Sequence, residues 1–172
     1  MAQSKSIIGL RNPPGKVLRF RTQQQLATFW CWAAVGSSIS KYFFKASTWT
    51  QCKIASEIFK LPCCNNTEPC NRSQRLQDVL TKTGNLNKFK IGIVTFQQIK
   101  DEIDAKKPVC VRIGWADGGH FVVLYGYRIV DDIEWVFVSD SNKTKTMFIR
   151  FEMLIAAYDL HGFWTDTFLT KK

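Results

Sequence analysis

Cys31, His120 and Asp140 are the residues of this chain whose types can together activate a sulfur nucleophile. A thiolate attacks a carbonyl carbon, an imidazole carries the proton, and a carboxylate fixes the imidazole's tautomer. Cys31 lies in Gln25-Leu26-Ala27-Thr28-Phe29-Trp30-Cys31-Trp32-Ala33-Ala34. Val35, Ile39, Tyr42 and Phe43 follow at helical spacing, which predicts a helix with Cys31 in its first turn and Thr28 or a neighbour as cap. Free backbone N–H groups and the positive end of the helix dipole favour a thiolate there. Flanked by two tryptophans and two alanines, Cys31 also fits a small buried core residue. Gln25, six residues upstream, can bring its amide beside the sulfur and, with the Cys31 backbone N–H, meet a developing oxyanion. In the run Gln23-Gln24-Gln25 it also fits a solvated glutamine.

The base and its orienter must come from the second half. Gly118-Gly119 reads as a turn, and His120 to Tyr127 as a β-branched and aromatic strand with the histidine at its mouth. A hairpin at Val130-Asp131-Asp132-Ile133 leads into the strand Trp135 to Val138, with Asp140 just past its end. If the strands pair antiparallel, Asp140 returns to the start of the first and can reach the His120 ring. Asp117 competes for that role, but sits so close in the same turn that it must double back; Asn142 is a weaker stand-in. Trp115 either walls a cleft beside His120 or packs the sheet, and His161, with no thiol nearby, reads as structural.

Taken together, Gln25 before Cys31-Trp32-Ala33, Gly119-His120-x-Val122 with Gly126-Tyr127, and Val138-Ser139-Asp140-Ser141 resemble the papain-like cysteine peptidases. The likeness spans roughly residues 17 to 168 and is nearest to the compact bacterial branch, the staphopain-like and plant-pathogen effector proteases. It implies Cys31 as nucleophile, His120 as base, Asp140 as orienter and Gln25 as oxyanion donor, with no metal or cofactor. It also implies an α+β fold, a helical lobe over about 22–90 and an antiparallel sheet lobe over about 91–170, with the cleft between them. Phe29-Trp30 stands where the plant and lysosomal enzymes have Gly-Ser or Gly-Ala, and Asp140 where they have asparagine.

On this reading the chain hydrolyses peptide bonds in a polypeptide substrate through a thioester, as a secreted protease, toxin or effector domain delivered to a target cell. A propeptide, inhibitor or immunity protein would be its partner. The same residues can also run deamidation or transamidation of a target protein, and a catalytically silent binding module is the non-enzymatic alternative.

The 172 residues, 45% hydrophobic, suffice for one cored domain over 17–172, preceded by a flexible arm over 1–16. No apolar run reaches the roughly 20 residues of a membrane span. A net charge of +10 favours acidic partners, but the basic residues are scattered and no nucleic-acid motif accompanies them. Cys52, Cys63, Cys64 and Cys70 cluster around a turn-rich loop and can form two disulfides, with the pairing open. Adjacent Cys63-Cys64 without a local histidine does not match zinc-ligand spacing. Further helices are expected over 49–61 (capped by Ser47 or Thr48, ended by Pro62), over 75–80, from the capping box Thr95-x-x-Gln98 to Pro108, and over 152–158. Strands are expected over 109–115, with Cys110 inside and inert, over 147–151 and over 162–169.

Overall fold

The structure is a computed structural model that describes residues 14–143 and 146–172. It is α+β, with one antiparallel sheet of seven strands and five α-helices among the described residues.

α1 (Cys31–Phe43) is a core helix: residues 31–40 are all buried, with Val35 and Ile39 fully enclosed. It packs on α2 (Gln51–Phe59), α3 (Leu76–Lys82) and the long strand β4 (Gly118–Val130). The approach to α3 is close, since a Cβ on Gly36 would collide with the Val79 side chain. Thr28 does not cap α1. Trp30 holds the N-cap position without a side-chain bond, so the first-turn N–H groups have no side-chain cap.

Thr50, rather than Ser47 or Thr48, caps α2 by accepting the Lys53 N–H. The helix ends at Lys60, in the left-handed region (φ 56°), two residues before Pro62. Two disulfides, Cys52–Cys64 and Cys63–Cys70, staple the loop that follows, and Cys63 and Cys70 are fully buried. This loop is part of the support of α1. The Trp30 indole donates to the Cys70 carbonyl (2.8 Å), the Trp32 indole to that of Arg72 (3.0 Å), and the Phe29 N–H to Asn71 Oδ1 (2.9 Å).

β2 (Leu86–Ile91) is not expected from the sequence, because its apolar residues Leu86, Phe89 and Ile91 do not alternate; in the fold Leu86 and Phe89 are half-buried and Ile91 is exposed. It joins the sheet at an edge, where lysines discourage further pairing. α4 (Phe96–Asp104) starts with the expected capping box, both bonds present. β3 (Val109–Trp115), β4, β5 (Ile133–Asp140), β6 (Met147–Arg150) and β7 (Phe163–Thr170) complete the order β2-β7-β3-β4-β5-β6. β1 (Gly15–Val17) pairs with the far half of β4, so residues 15 and 16 of the expected arm belong to the sheet; residues 1–13 lie outside the described residues. Gly126 makes this possible, since a Cβ there would meet Lys16 O at 2.8 Å and Phe137 Cδ2 at 3.0 Å.

The β4–β5 hairpin turns at Asp131 and Asp132, both at positive φ (50° and 61°), the geometry of a tight two-residue hairpin. α5 (Phe151–Ala156) stops short of Tyr158, which instead pairs with Gly162 in an isolated bridge. One continuous hydrophobic core joins α1, α2 and α3 to the sheet.

Candidate active site

Strand register explains how Asp140 comes to His120. Asp140 pairs with Val122, and residues two apart on a strand share a face, so His120, Val122 and Asp140 lie on one face of the sheet. The result is a 2.6 Å bond between His120 Nε2 and Asp140 Oδ1. The carboxylate is nearly sealed from solvent, and the imidazole is 12% exposed. Oδ1 also accepts the Asn142 N–H (2.8 Å), and Oδ2 accepts the Tyr158 hydroxyl (2.7 Å).

With Nε2 committed to Asp140, the other ring nitrogen is left for Cys31, which lines the same cleft and interacts electrostatically with the imidazole. Cys31 is 7% exposed at the start of α1. Burial alone would push the His120 pKa down; the hydrogen bond to Asp140 and its charge, with the neighbouring Cys31, outweigh it and raise the value to about 9. Burial pushes Asp140 up, but the His120 bond and charge, the Asn142 N–H and the Tyr158 hydroxyl hold it below the usual carboxylate range. Tyr158 is raised by burial and by the adjacent carboxylate, and so stays a donor.

These three side chains line a cleft of about 510 Å³ with Phe29, Trp32, Trp115, Asp117, Arg112 and Tyr158. Trp115 both lines the cleft and packs, edge-on to Tyr158 at 6.3 Å. Asp117 stands exposed at the rim, while the bond to His120 goes to Asp140. Asn142 contributes its backbone N–H rather than its side chain. His161 is exposed in the turn between α5 and β7, and Cys110 is fully buried, its thiol pushed far up by desolvation. No group of three or more His, Cys, Asp or Glu side chains suited to a metal ion occurs among the described residues.

Gln25 does not line this cleft. Its amide nitrogen donates to the carbonyls of Thr28 (2.6 Å) and Ala27 (3.1 Å), and its Oε1 accepts the Ser141 hydroxyl (2.9 Å). The Gln25 N–H is bonded to the Ser141 carbonyl (3.2 Å), so the residue after Asp140 holds Gln25 at two points.

Sequence reasoning missed Tyr158, Ser141 and the loop carbonyls that receive the two indoles. Ser141 had a signal in its adjacency to Asp140. Tyr158 had none, because its place depends on the turn at residues 159–161 rather than on any spacing.

No curated protein matches the chain. Residues 17–163, however, match the family model described as the Peptidase_C39 like family, a span that takes in α1, the stapled loop, His120, Asp140 and Tyr158. With most of its length matched, and with a cysteine and a histidine from distant parts of the chain lining one cleft, the chain belongs to the Peptidase_C39-like family of cysteine peptidases.

Proposed function

We propose that Cys31, His120 and Asp140 form the catalytic triad of this peptidase, acting on a polypeptide laid in the cleft between the helices and the sheet. The observation that carries the reading is the His120 ring bonded to a buried Asp140 in the cleft that Cys31 also lines, with the ring's pKa raised to about 9. A ring that stays protonated through neutral pH pairs with a thiolate. The thiolate attacks the scissile carbonyl, and the imidazolium gives its proton to the departing amine. Water, deprotonated by His120, then hydrolyses the thioester.

The oxyanion meets the Cys31 backbone N–H at the uncapped start of α1, and Gln25 supplies a second donor by releasing one of its bonds to the 27–28 carbonyls. The Ser141 hydroxyl supports this role, because it engages Oε1 and turns Nε2 toward the nucleophile's loop. Two disulfides favour work in an oxidising setting, in keeping with a secreted or delivered enzyme.

The test is iodoacetamide labelling read by intact mass and peptide mapping across pH, with Cys31→Ala and His120→Ala as controls. Single fast labelling at Cys31 that persists below pH ~7 and slows in His120→Ala is expected. Labelling with the pH dependence of an ordinary thiol would refute the reading. Product masses then separate cleavage from deamidation, which shifts the target by only about one dalton.

A further inference from the structure

We propose that Tyr158 is a positioning residue for this site, its hydroxyl fixing the rotation of the Asp140 carboxylate so that Oδ1 faces the imidazole. The proposal rests on the reading of Cys31, His120 and Asp140 as catalytic.

A carboxylate held through one oxygen can turn about its last bond. Asp140 Oδ1 is engaged by His120 Nε2 and the Asn142 N–H, and the Tyr158 hydroxyl at 2.7 Å engages Oδ2, so both oxygens are pinned. The tyrosine is itself held on every side. Its backbone exchanges both hydrogen bonds with Gly162 (2.9 and 2.8 Å) across a turn with Asp159 and Leu160 at positive φ (48° and 79°). Gly162 is required by the closeness of that bridge: a Cβ there would meet Tyr158 O, Ile113 Cγ2 and Trp115 Cζ2, each at 2.6 Å. Trp115 stands edge-on to the ring, and the Lys143 ammonium lies 5.7 Å from its centroid. Tyr158 is 3% exposed, and its hydroxyl's other neighbour is the Met147 sulfur at 3.9 Å, a much weaker acceptor than the carboxylate.

The charged and titratable groups around this pair are His120 from β4, Cys31 from α1, Lys143 from the segment after β5, and Asp159 beside Tyr158. Lys143 and Asp159 pair with each other at 3.0 Å, so neither replaces the hydroxyl. Tyr158 therefore keeps Asp140 ionised into acid, where the imidazolium still needs its anchor.

The experiment follows the downfield proton NMR line of the short His120 Nε2–H···Asp140 bond as pH falls; with two histidines in the chain, His161→Gln assigns it. Wild-type protein should keep the line until Asp140 protonates, and Tyr158→Phe should lose it about one pH unit higher. Loss at the same pH in both, with the wild-type line intact, overturns the role of Tyr158 and leaves the catalytic reading standing. No line in the wild type, together with slow Cys31 alkylation, overturns the catalytic reading and the proposal with it. If Tyr158→Phe fails to fold, biosynthetic 3-fluorotyrosine, a stronger donor of nearly the same shape, decides: loss of the line at lower pH supports the proposal and an unmoved titration overturns it.

Discussion

Asp140→Asn removes the charge on which His120 depends while keeping the side chain's shape. In the folded protein His120 is raised from 6.5 to about 9, which at 1.36 kcal/mol per pH unit corresponds to about 3 kcal/mol of stabilisation. Because the folded value lies above the unfolded one, this stabilisation is complete below pH 6.5 and is lost as pH rises through about 9. Asp140 runs the other way. Its folded value lies below 3.8, so its contribution is present above that pH and disappears as pH falls through the lowered value. The destabilisation caused by Asp140→Asn should therefore be largest between about pH 4 and 6.5 and shrink by pH ~10 by the share of those ~3 kcal/mol that Asp140, rather than Cys31, supplies. Urea unfolding of both proteins at pH 6 and pH 10, followed by tryptophan fluorescence with disulfides intact, measures the difference directly. A gap between the two proteins that stays constant from pH 6 to pH 10 would refute the pairing of charges inferred at His120.

Two further variants test the supports of Cys31 and its helix. Replacing Cys63 and Cys70 with serine opens a link of sequence separation 7, which loop entropy values at about 2.5 kcal/mol, and loosens the carbonyl that receives the Trp30 indole. A lower melting temperature and slower Cys31 alkylation are expected, with Cys52–Cys64 left in place; unchanged alkylation would show that the loop does not position α1. Gly36→Ala improves helix propensity but drives a methyl into Val79, so calorimetry should show a net loss of about 1–3 kcal/mol. A gain in stability would mean that α1 and α3 separate at little cost.

Much of the frame is legible in the chain because it is local. The apolar spacing after Cys31 gives α1, Thr95 and Gln98 give the start of α4, and the Asp131-Asp132 turn gives a hairpin whose register carries Asp140 back to His120. The parts that were not legible depend on distant partners. β2 has its apolar residues at 86, 89 and 91, without the strict alternation that marks a strand, and becomes one only beside β7. Thr28 has the right chemistry for a cap, yet the chain reaches Trp30 through a turn in which the Trp30 N–H bonds Ala27 O, which leaves Trp30 at the N-cap position. Tyr158 looks like a helix residue until the bridge to Gly162 turns it inward. The cysteine cluster revealed a stapled loop, but its pairing, and the tryptophans that lean on it, required the three-dimensional arrangement.

The sheet order has a consequence for how the protein acquires its shape. β7, the last strand along the chain, lies between β2 and β3 rather than at an edge. Until it inserts, β2 has no strand partner and β3 is paired only with β4. A ribosome-bound chain therefore carries two open strand edges until residues 163–170 have left the exit tunnel. Closure waits for β7 and is dominated by contacts between distant segments, a topology associated with slow folding and with exposure to strand-mediated aggregation before it completes.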